Sequence, residues 1–341
     1  MSDHLLWRAL TRADIPALVR LLADSERVDA TSENYDEADL AEEFDDETLD
    51  LATDSVAVLE GPDLVGMGVV RARGLVRDVH VVELWGTVQP SHRGEGVGRG
   101  ILARQLHRAA ALHAERHPDV AGRIVVRPYD HCADHVKLVK AAGLTPLRHW
   151  FDMERDLSDP PPDVPPLADD LQAVPYDRGR DDELRLVCNA TFTAGFSAVE
   201  QDAEGWAQWF TGSRAFRPDL SHLVLHHGRV VGFLLSYFYE ADAVSDGHEE
   251  GWIGQVGTLP MFRRRGIATS LIAQALRDFH AGPTSPYRRA FNRMIGEWAL
   301  FAENIPGGKI PDFPDLPSSR TMQALTRFVK VEVLNLSLIH I

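Results

Sequence analysis

The sequence predicts an α/β chain of two tandem domains, in which short strands alternate with helices. The main observation is a stretch that reads as strand, glycine-rich turn and helix, found at residues 84–110 and again at 255–278. Both copies contain Pro-x-x-Arg-x-x-Gly-x-Gly/Ala, and Arg263 follows Arg93 by 170 residues. A proline-rich segment separates the copies. A repeat at a fixed offset indicates an internal duplication.

Size and composition agree with this prediction. The 341 residues are enough for two domains of ordinary size, and 44% hydrophobic with 25% charged residues is typical of soluble globular chains. No basic start precedes a long apolar run, and the longest such run, 230–239, is too short to cross a bilayer. Cys132 and Cys188 provide neither a disulfide framework nor metal-ligand spacing. We therefore expect a cytoplasmic protein without a metal and without a membrane partner.

The formal net charge of −16 argues against a nucleic-acid partner, which requires a basic surface. An anionic ligand at a helix N-terminus is still compatible with this charge. Exposed charges are screened beyond roughly 8 Å at physiological salt, whereas backbone amides act at contact distance. The overall field favours a cationic acceptor molecule.

The first half shows apolar patterns in a regular order of helices and strands. Helices are indicated by apolar residues at a spacing of three and four, and strands by short β-branched runs between turn residues. The predicted elements are a helix at 13–23, strands at 55–59, 64–71, 79–88 and 124–127, a helix at 135–142 and a strand at 151–155. We predict an N-terminal domain of residues 1–157 and a proline-rich linker at 158–170, because consecutive prolines favour an extended spacer.

The second half repeats this plan from residue 171 to about residue 300. The predicted elements are strands at 171–174, 223–226, 229–239 and 249–259, with a helix at 181–192. Aromatic residues gather before the hairpin, and we interpret them mainly as core, with pocket lining as the alternative. These residues are Phe192, Trp206, Trp209, Phe210 and Phe216.

Residues 29–50 contain eleven acidic residues and neither Lys nor Arg. Leu40 and Phe44 lie four residues apart and suggest a short helix within the segment. Two interpretations stay open. The segment forms a solvated acidic face, or it forms an acidic lid over a cationic substrate.

The repeated turn has the chemistry of a phosphate site. Glycines let backbone N–H groups converge, and a helix that starts there adds free N–H groups and its positive dipole end. The dinucleotide fingerprint fails, because the sixth position counted from Gly94 is Arg99 and from Gly96 is Ile101. Neither copy ends in the Gly-Lys-Ser/Thr of a P-loop.

The shared pattern resembles the acetyl-CoA-binding motif of the GNAT (N-acetyltransferase) superfamily, and the order of elements in residues 3–157 is similar to the topology of that family. The resemblance implies two GNAT-like domains, each a mixed, mostly antiparallel sheet flanked by helices. It also implies that acetyl-CoA is the acyl donor and that the turn amides hold its pyrophosphate. The cofactor-binding residues implied are Val88, Arg93, Gly94, Gly96, Val97 and Gly98 in the first copy, and Leu259, Arg263, Arg264, Arg265, Gly266, Ile267 and Ala268 in the second.

Catalytic residues are less clearly indicated. Many GNAT enzymes have a Glu eleven residues before the motif Arg, where this chain has Val82 and Trp252. Glu83 and Glu250 are the nearby candidates for the general base, although Glu83 belongs to the opposite strand face. The Tyr that serves as acid in the family corresponds to Val139, so Tyr129 is the candidate in the first half.

The tandem plan resembles two-domain actinobacterial GNAT proteins, of which mycothiol synthase is the best-understood relative by architecture. Its acceptor-contacting Glu corresponds to Trp252 here, and this departure disfavours mycothiol synthesis itself. The sequence after residue 287 shows no clear version of the remaining family elements, so we expect a second copy that is incomplete at its C-terminus. Residues 301–341 are predicted to be an atypical tail, and LNLSLIHI is similar to translated adapter read-through. We expect the gene model to depart from the natural protein after Gly282.

The sequence thus predicts an acyltransferase that moves an acetyl group from acetyl-CoA to a primary amine of a small molecule. The protein would act as a monomer or homodimer. The alternative is a non-catalytic module that binds acetyl-CoA and senses or scaffolds, because Val82, Val139 and Trp252 replace expected catalytic groups. The acceptor, the active half and the acid–base pair are left open by the sequence.

Overall fold

The computed structural model describes residues 4–72, 75–76, 79–192, 200–246, 249–280, 287–294 and 335–340. The contacts divide the chain into two compact units. The first unit contains Met1–Arg148 and Leu336–Ile341, and the second contains His149–Asn335. The domain boundary predicted at residue 157 and the linker at 158–170 stay predictions, while this division falls before residue 149.

The first unit is a mixed sheet with helices on both faces. Strand order is β1-β2-β3-β4-β5-β12, with β4 and β5 parallel and the other neighbours antiparallel. Its elements are β1 (Leu5–Arg8), α1 (Ile15–Asp29), α2 (Glu37–Phe44), α3 (Leu51–Asp54), β2 (Ser55–Glu60), β3 (Asp63–Arg71), β4 (Val79–Val88), α4 (Val97–Arg116), β5 (Ala121–Val126), α5 (Ala133–Ala141) and β12 (Asn335–His340).

The second unit repeats the order as β7-β8-β9-β10-β11-β6, with β10 and β11 as its parallel pair. Short 3₁₀ turns also precede α4 and α9. The elements of the unit are β6 (Thr145–Asp156), β7 (Leu171–Pro175), α6 (Asp181–Phe192), α7 (Ala203–Trp206), β8 (His222–His226), β9 (Arg229–Tyr237), α8 (Glu240–Asp246), β10 (Glu249–Thr258), α9 (Ile267–His280) and β11 (Tyr287–Met294).

Two expectations about the strands need correction. The strand expected at 151–155 as the last of the first half pairs with β11, from Phe151↔Met294 to Asp156↔Arg289. The strand after the second motif, which the sequence did not indicate, exists as β11 beside β10. Its sequence, YRRAFNRM, has no continuous apolar run, and the register with its two neighbours makes it a strand. Most of the predicted tail lies outside the described residues, apart from β12.

Apolar side chains fill both sides of each sheet. In the first unit, Leu18, Leu40 and Phe44 pack with Met67 under α1 and α2, while α4 and α5 cover the opposite face through residues such as Leu102. In the second unit α9 covers one face and α6 the other. Trp206 and Phe216 are buried in the second cluster and Phe192 and Phe210 pack against it, which confirms the interpretation of these four residues as core.

Helix α4 approaches β3 and β4 very closely. A Cβ atom on Gly68 would lie 2.6 Å from Ile101 and 2.9 Å from the amide of Gln105, so a larger residue at position 68 would push the helix away. The Gln105 side chain is buried, and its Nε2 donates to the carbonyls of Val69 (3.0 Å) and Trp85 (2.8 Å). This amide therefore fixes the helix against the strand that leads to the turn.

We expect Gln105→Met to lower the free energy of unfolding by about 2 kcal/mol, because two carbonyls lose their donor in the interior. A urea titration measures this change. Gln172→Met is the matched control on β7, where the side chain is exposed, and it should change stability by less than about 0.5 kcal/mol. Equal effects of the two variants would contradict the assignment.

Candidate active site

Each sheet opens between its two parallel strands. In the first unit the last register pair of β4 and β5 is Leu84↔Val126, although β4 continues to Val88. In the second unit the last pair of β10 and β11 is Trp252↔Phe291, although β10 continues to Thr258. Beyond these points the described register pairs β4 with β3 and β10 with β9. The strand edge can thus accept an extended chain that carries amide groups.

The first turn follows the open end of β4 directly in the chain. A 3₁₀ turn (Pro90–His92) follows β4, and Gly94 and Gly96 take positive φ angles of 81° and 92°. Helix α4 then starts, and its first recorded bond runs from the amide of Gly100 to the carbonyl of Gly96 at 3.0 Å. The amides of Val97 and the two residues after it therefore have no acceptor inside the helix. Such amides, with the positive dipole end, favour an anion.

The second turn has the same build. A 3₁₀ turn (Pro260–Phe262) follows β10, and Gly266 has a φ of 79°. The amide of Ser270 donates to the carbonyl of Gly266 at 2.9 Å, as Gly100 does to Gly96. One difference is Arg264, which takes a φ of 68° where the first turn has a glycine. Residues other than Gly, Asn and Asp seldom adopt this conformation.

The backbone of both turns is exposed at their glycines. A Cβ atom built on Gly94, Gly96 or Gly266 would meet nothing within 4 Å, so the backbone there is open to a ligand. Gly98 is different, because its Cβ would lie 3.3 Å from Leu138 and 3.6 Å from Val88. Gly94, Gly96 and Gly266 thus leave the turn amides accessible, whereas Gly98 allows close packing behind them.

The predicted arginines are for the most part engaged elsewhere. Arg93 donates to the Val88 carbonyl (3.0 Å) and binds both carboxylate oxygens of Asp29 at 2.6 and 2.7 Å. Arg263 donates to the carbonyls of Thr258 (3.2 Å) and Thr191 (3.0 Å).

The two arginines that follow Arg263 differ from each other. Arg265 pairs with Asp170 and stacks over Phe262, with 5.7 Å between its Cζ and the ring centroid. Arg264 is exposed, without an ion pair to any residue that the structure describes. Arg264 is therefore the arginine of the second turn whose charge is best placed to meet a phosphate.

Glu83 lies at the point where β4 and β5 part. It precedes Leu84, and its carboxylate pairs with Arg127 just after β5. It is the register partner of Arg71, and it faces away from Val82, which is buried against α4 and α5. Glu83 therefore belongs to the sheet face that α1 and α2 cover.

The same face carries aromatic and charged groups. The Arg71 guanidinium binds Glu43 at 2.6 Å and lies 5.2 Å from the centre of the Trp85 ring. The Trp85 ring is 5.7 Å from that of Tyr35, in the segment between α1 and α2. An acceptor that approached the strand opening from this face would meet these side chains.

The acidic segment is largely used to build local structure. Asp36 and Asp39 form a capping box on α2, and Asp50 caps α3. Other carboxylates bind Arg12, Arg71 and Arg93. Both interpretations of the segment, as an acidic face and as a lid, stay open, but its carboxylates are held in place by these contacts.

In the second unit, β10 places no exposed carboxylate at Glu250 or Trp252, the two positions considered for a base. Glu250 is 5% exposed, and it follows a register shift between Glu249 and Glu250. Trp252 is 9% exposed and fills the position at which the family has a Glu. Glu250 therefore lies deeper in the sheet than the opening.

A bulge at Gly254 is a feature that the sequence analysis missed. The pairing of β10 with β9 shifts between Ile253 and Gln255, which leaves an extra residue in β10 at the open edge. A Cβ on Gly254 would lie 2.5 Å from the Tyr237 ring, so only glycine fits. A lone glycine within a strand pattern is the signal that could have indicated the bulge.

Two tyrosines are buried near the openings. The Tyr129 hydroxyl donates to Glu33 at 2.5 Å in the first unit. Tyr237 is the register partner of Trp252 in the second unit, and burial raises the pKa of its hydroxyl well above the ordinary value of 10. Tyr237 therefore keeps its proton at neutral pH. No signal in the sequence indicates Tyr237, because it ends an apolar strand and carries no motif.

The candidate acid position predicted from the family, Val139, is buried on α5 within the apolar core of the first unit. Among the described residues, no group of His, Cys, Asp and Glu could hold a metal ion. No helix of the described part has the length and apolarity to span a bilayer.

Comparison with known sequences identifies relatives along most of the chain. Residues 184–282 match the Acetyltransferase (GNAT) family. The mycothiol acetyltransferase of Frankia alni is 28% identical over 303 residues, which are 82% of this chain and 84% of that protein. The mycothiol acetyltransferase of Catenulispora acidiphila is 28% identical over 229 residues, 64% of each chain.

Solved structures resemble the fold over the full chain. The GCN5-related N-acetyltransferase from Sphaerobacter thermophilus superimposes with a TM-score of 0.70 at 21% identity, covering 100% of this chain and 96% of that one. A tandem GNAT protein from the clavulanic acid biosynthesis pathway gives a TM-score of 0.64 at 13% identity, covering 98% and 97%. These findings confirm the GNAT resemblance and the predicted fold class.

Cys132 flanks the first opening, and the pKa of its thiol indicates whether it could take part in the reaction. It precedes α5, and its Sγ lies 3.7 Å from the Asp29 carbonyl oxygen. Burial raises the pKa of the Cys132 thiol to about 11, and the nearby Asp29 carboxylate acts in the same direction. At pH 8 the fraction of thiolate should be about a hundredfold smaller than for an ordinary cysteine.

We therefore expect iodoacetamide to label Cys132 about a hundredfold more slowly than a free cysteine at pH 8. The rate should rise about tenfold per pH unit until pH 11, since only the thiolate reacts. Mass spectrometry of peptides measures it, with Cys132→Ser to identify labelling of Cys188. A labelling rate equal to that of free cysteine would contradict the raised pKa of Cys132.

Proposed function

The chain carries a domain of the GNAT acetyltransferase family, and we propose that it transfers the acetyl group of acetyl-CoA to a primary amine of a small molecule. The observation that carries this proposal is the combination, built twice, of an open strand edge and a turn with free amides. The edge suits the extended amide-bearing arm of the cofactor, and the turn suits its pyrophosphate. Acyl-enzyme chemistry on Cys132 is disfavoured, because burial raises the pKa of its thiol to about 11.

We assign cofactor binding to the turn amides and to Arg264. In the first unit these are the amides of Gly94, Gly96, Val97 and Gly98, and in the second those of Gly266, Ile267 and Ala268. When bound, acetyl-CoA supplies a thioester whose carbonyl carbon an amine can attack. Val88 ends β4 and Leu259 follows β10, and we assign both to the wall of their sites.

The proton of the amine requires a base at the opening. Glu83 is the candidate in the first unit, because it lies one residue before the last pair of β4 and β5 and its side chain is 28% exposed. Arg127 keeps this carboxylate oriented. In the second unit Glu250 is buried, so it would act through a water or through a shift of the bulge beside it.

The negative charge that develops on the thioester oxygen requires an N–H donor. The bulge at Gly254 supports this role in the second unit, since an amide that leaves the β9 ladder can face the opening. Tyr237 keeps its proton and lies beside that bulge, which makes it the candidate acid for the leaving thiolate. Tyr129 is the corresponding candidate in the first unit, and its hydroxyl would have to leave Glu33.

Two further candidates each have an observation in their favour. A module that binds acetyl-CoA without catalysis is favoured by Val82, Val139 and Trp252, which fill the expected catalytic positions with buried apolar side chains. Acetylation of a mycothiol precursor is favoured by likeness to the Frankia alni mycothiol acetyltransferase over 82% of the chain. Trp252 disfavours it, and the precursor belongs in the first panel of amines tested.

We expect acetyl-CoA to bind the intact chain, and Gly96→Glu or Gly266→Glu to remove binding from the altered unit. A carboxylate at either turn would repel the pyrophosphate and occupy the space above the glycine. Native mass spectrometry gives the stoichiometry of binding for each variant.

Matched controls separate this effect from backbone strain. Gly61→Glu and Gly228→Glu place the same residue at hairpin glycines with φ angles of 59° and 78°, away from the turns. Both should bind as the unaltered chain does. Well-folded protein that binds no acetyl-CoA would contradict the proposed function.

We expect a base variant to separate the two units. Thiol release from acetyl-CoA with a panel of amines measures turnover. If the first unit is catalytic, Glu83→Gln should lower kcat by about a hundredfold or more, and the lost activity should not return at higher acetyl-CoA. If the second unit is catalytic, Glu250→Gln should have that effect and Glu83→Gln should not. No turnover with any amine would favour the binding module.

A further inference from the structure

The first arginine of each turn contacts the same two places in both units, which are the end of the preceding strand and the end of a helix. Its Nε donates to the carbonyl of the residue five positions earlier, which is Val88 for Arg93 and Thr258 for Arg263. Its terminal nitrogens reach the end of the first long helix of the unit. The repetition of this geometry in two copies with different neighbours indicates a shared task.

The helix end is a suitable partner for a guanidinium. Asp29 is the last residue of α1, and Thr191 is the second-last of α6. The last carbonyls of a helix lack partners within it and carry the negative end of the dipole, so a cation stabilises them. In the first unit a bidentate carboxylate provides the bond, and in the second a backbone carbonyl provides it.

In the first unit the contact extends to the other side of the opening. The Asp29 carbonyl oxygen lies 2.6 Å from Nε2 of His131, which follows β5. The Asp29 hydrogen bond also raises the pKa of Arg93, so this arginine stays charged and paired. Asp29 therefore connects the turn after β4 with the loop after β5.

We propose that Arg93 and Arg263 are positioning residues, each of which ties its turn to the end of the first helix and so holds the turn amides in place for a phosphate. Their guanidinium groups do not bind the phosphate themselves. The inference rests on the proposed function, because it concerns how the proposed cofactor site is held. It reassigns two of the residues that the motif implies to be cofactor ligands.

The alternative, in which Arg93 binds the phosphate directly, predicts the opposite sign for one substitution. If Asp29 only competes for Arg93, then Asp29→Asn frees the guanidinium and strengthens CoA binding. If the pair positions the turn, Asp29→Asn weakens CoA binding because one of two bonds is lost. The direction of the change in Kd therefore distinguishes the two roles.

The experiment uses the full chain with Gly266→Glu, so that CoA binding reports the first turn. By isothermal titration calorimetry, Arg93→Gln should raise Kd for CoA about tenfold and Asp29→Asn several-fold. The double variant should bind no more weakly than Arg93→Gln alone, because both changes break one contact. Arg93→Lys should not restore binding, since lysine lacks the planar fork.

Salt and a neighbouring arginine provide the matched control. Arg99 is exposed in the first turn of α4, so Arg99→Gln removes a nearby charge without touching the Arg93–Asp29 pair. Arg99→Gln should reduce the dependence of Kd on salt, and the double variant Arg93→Gln/Asp29→Asn should leave it unchanged, because it removes one charge of each sign. A reduced salt dependence in the double variant, or tighter binding in Asp29→Asn, would overturn the proposal.

Hydrogen exchange separates this proposal from the proposed function. Without any ligand, the amides of residues 94–97 should exchange faster in Arg93→Gln and Asp29→Asn, and at an unchanged rate in Arg99→Gln. Circular dichroism checks that each variant is folded. Unchanged exchange in folded Arg93→Gln would overturn the positioning role. A failure of all proteins to bind CoA, with exchange altered as expected, would contradict the proposed function and leave the positioning role supported.

Discussion

The candidate site depends on one constraint, which is that two neighbouring parallel strands stop pairing before one of them ends. Backbone groups left at such an edge need partners, and the edge continues directly into a helix whose first amides also need partners. Both needs are met at once by a ligand with an extended amide-bearing arm and an anionic end. The site is therefore made mainly of main chain, and the side chains around it hold the main chain in position.

This dependence on main chain explains what the sequence could predict. Glycines at 94, 96 and 266 report a backbone conformation directly, so the turns could be predicted from spacing, and the family from the resemblance of the motif. The helix at 181–192 was likewise predicted at its observed bounds, because its apolar residues keep a helical period up to Phe192. The contacts of Arg93 could not be predicted, since Asp29 is 64 residues away in the chain. Strand β11 was missed because its arginine-rich sequence forms a strand only through its neighbours.

The two turns share a backbone and differ in their charge. The first is nearly neutral in formal charge, because Asp29 and Glu95 balance Arg93 and Arg99. In the second, Arg263 binds the carbonyls of Thr258 and Thr191 and Arg264 is exposed, so positive charge stays near the amides. Duplication thus preserved the geometry while the electrostatics of the copies diverged.

The pairing of β6 with β11 has a consequence for the chain as it is made. Asp156 pairs with Arg289, so β6 leaves the ribosome about 130 residues before its partner strand. At ordinary rates of bacterial synthesis the delay is on the order of ten seconds. During that time the backbone groups of β6 cannot yet pair with β11. A nascent chain with such an incomplete sheet is a suitable substrate for a chaperone. The order of translation therefore sets the earliest moment at which the second sheet can be completed.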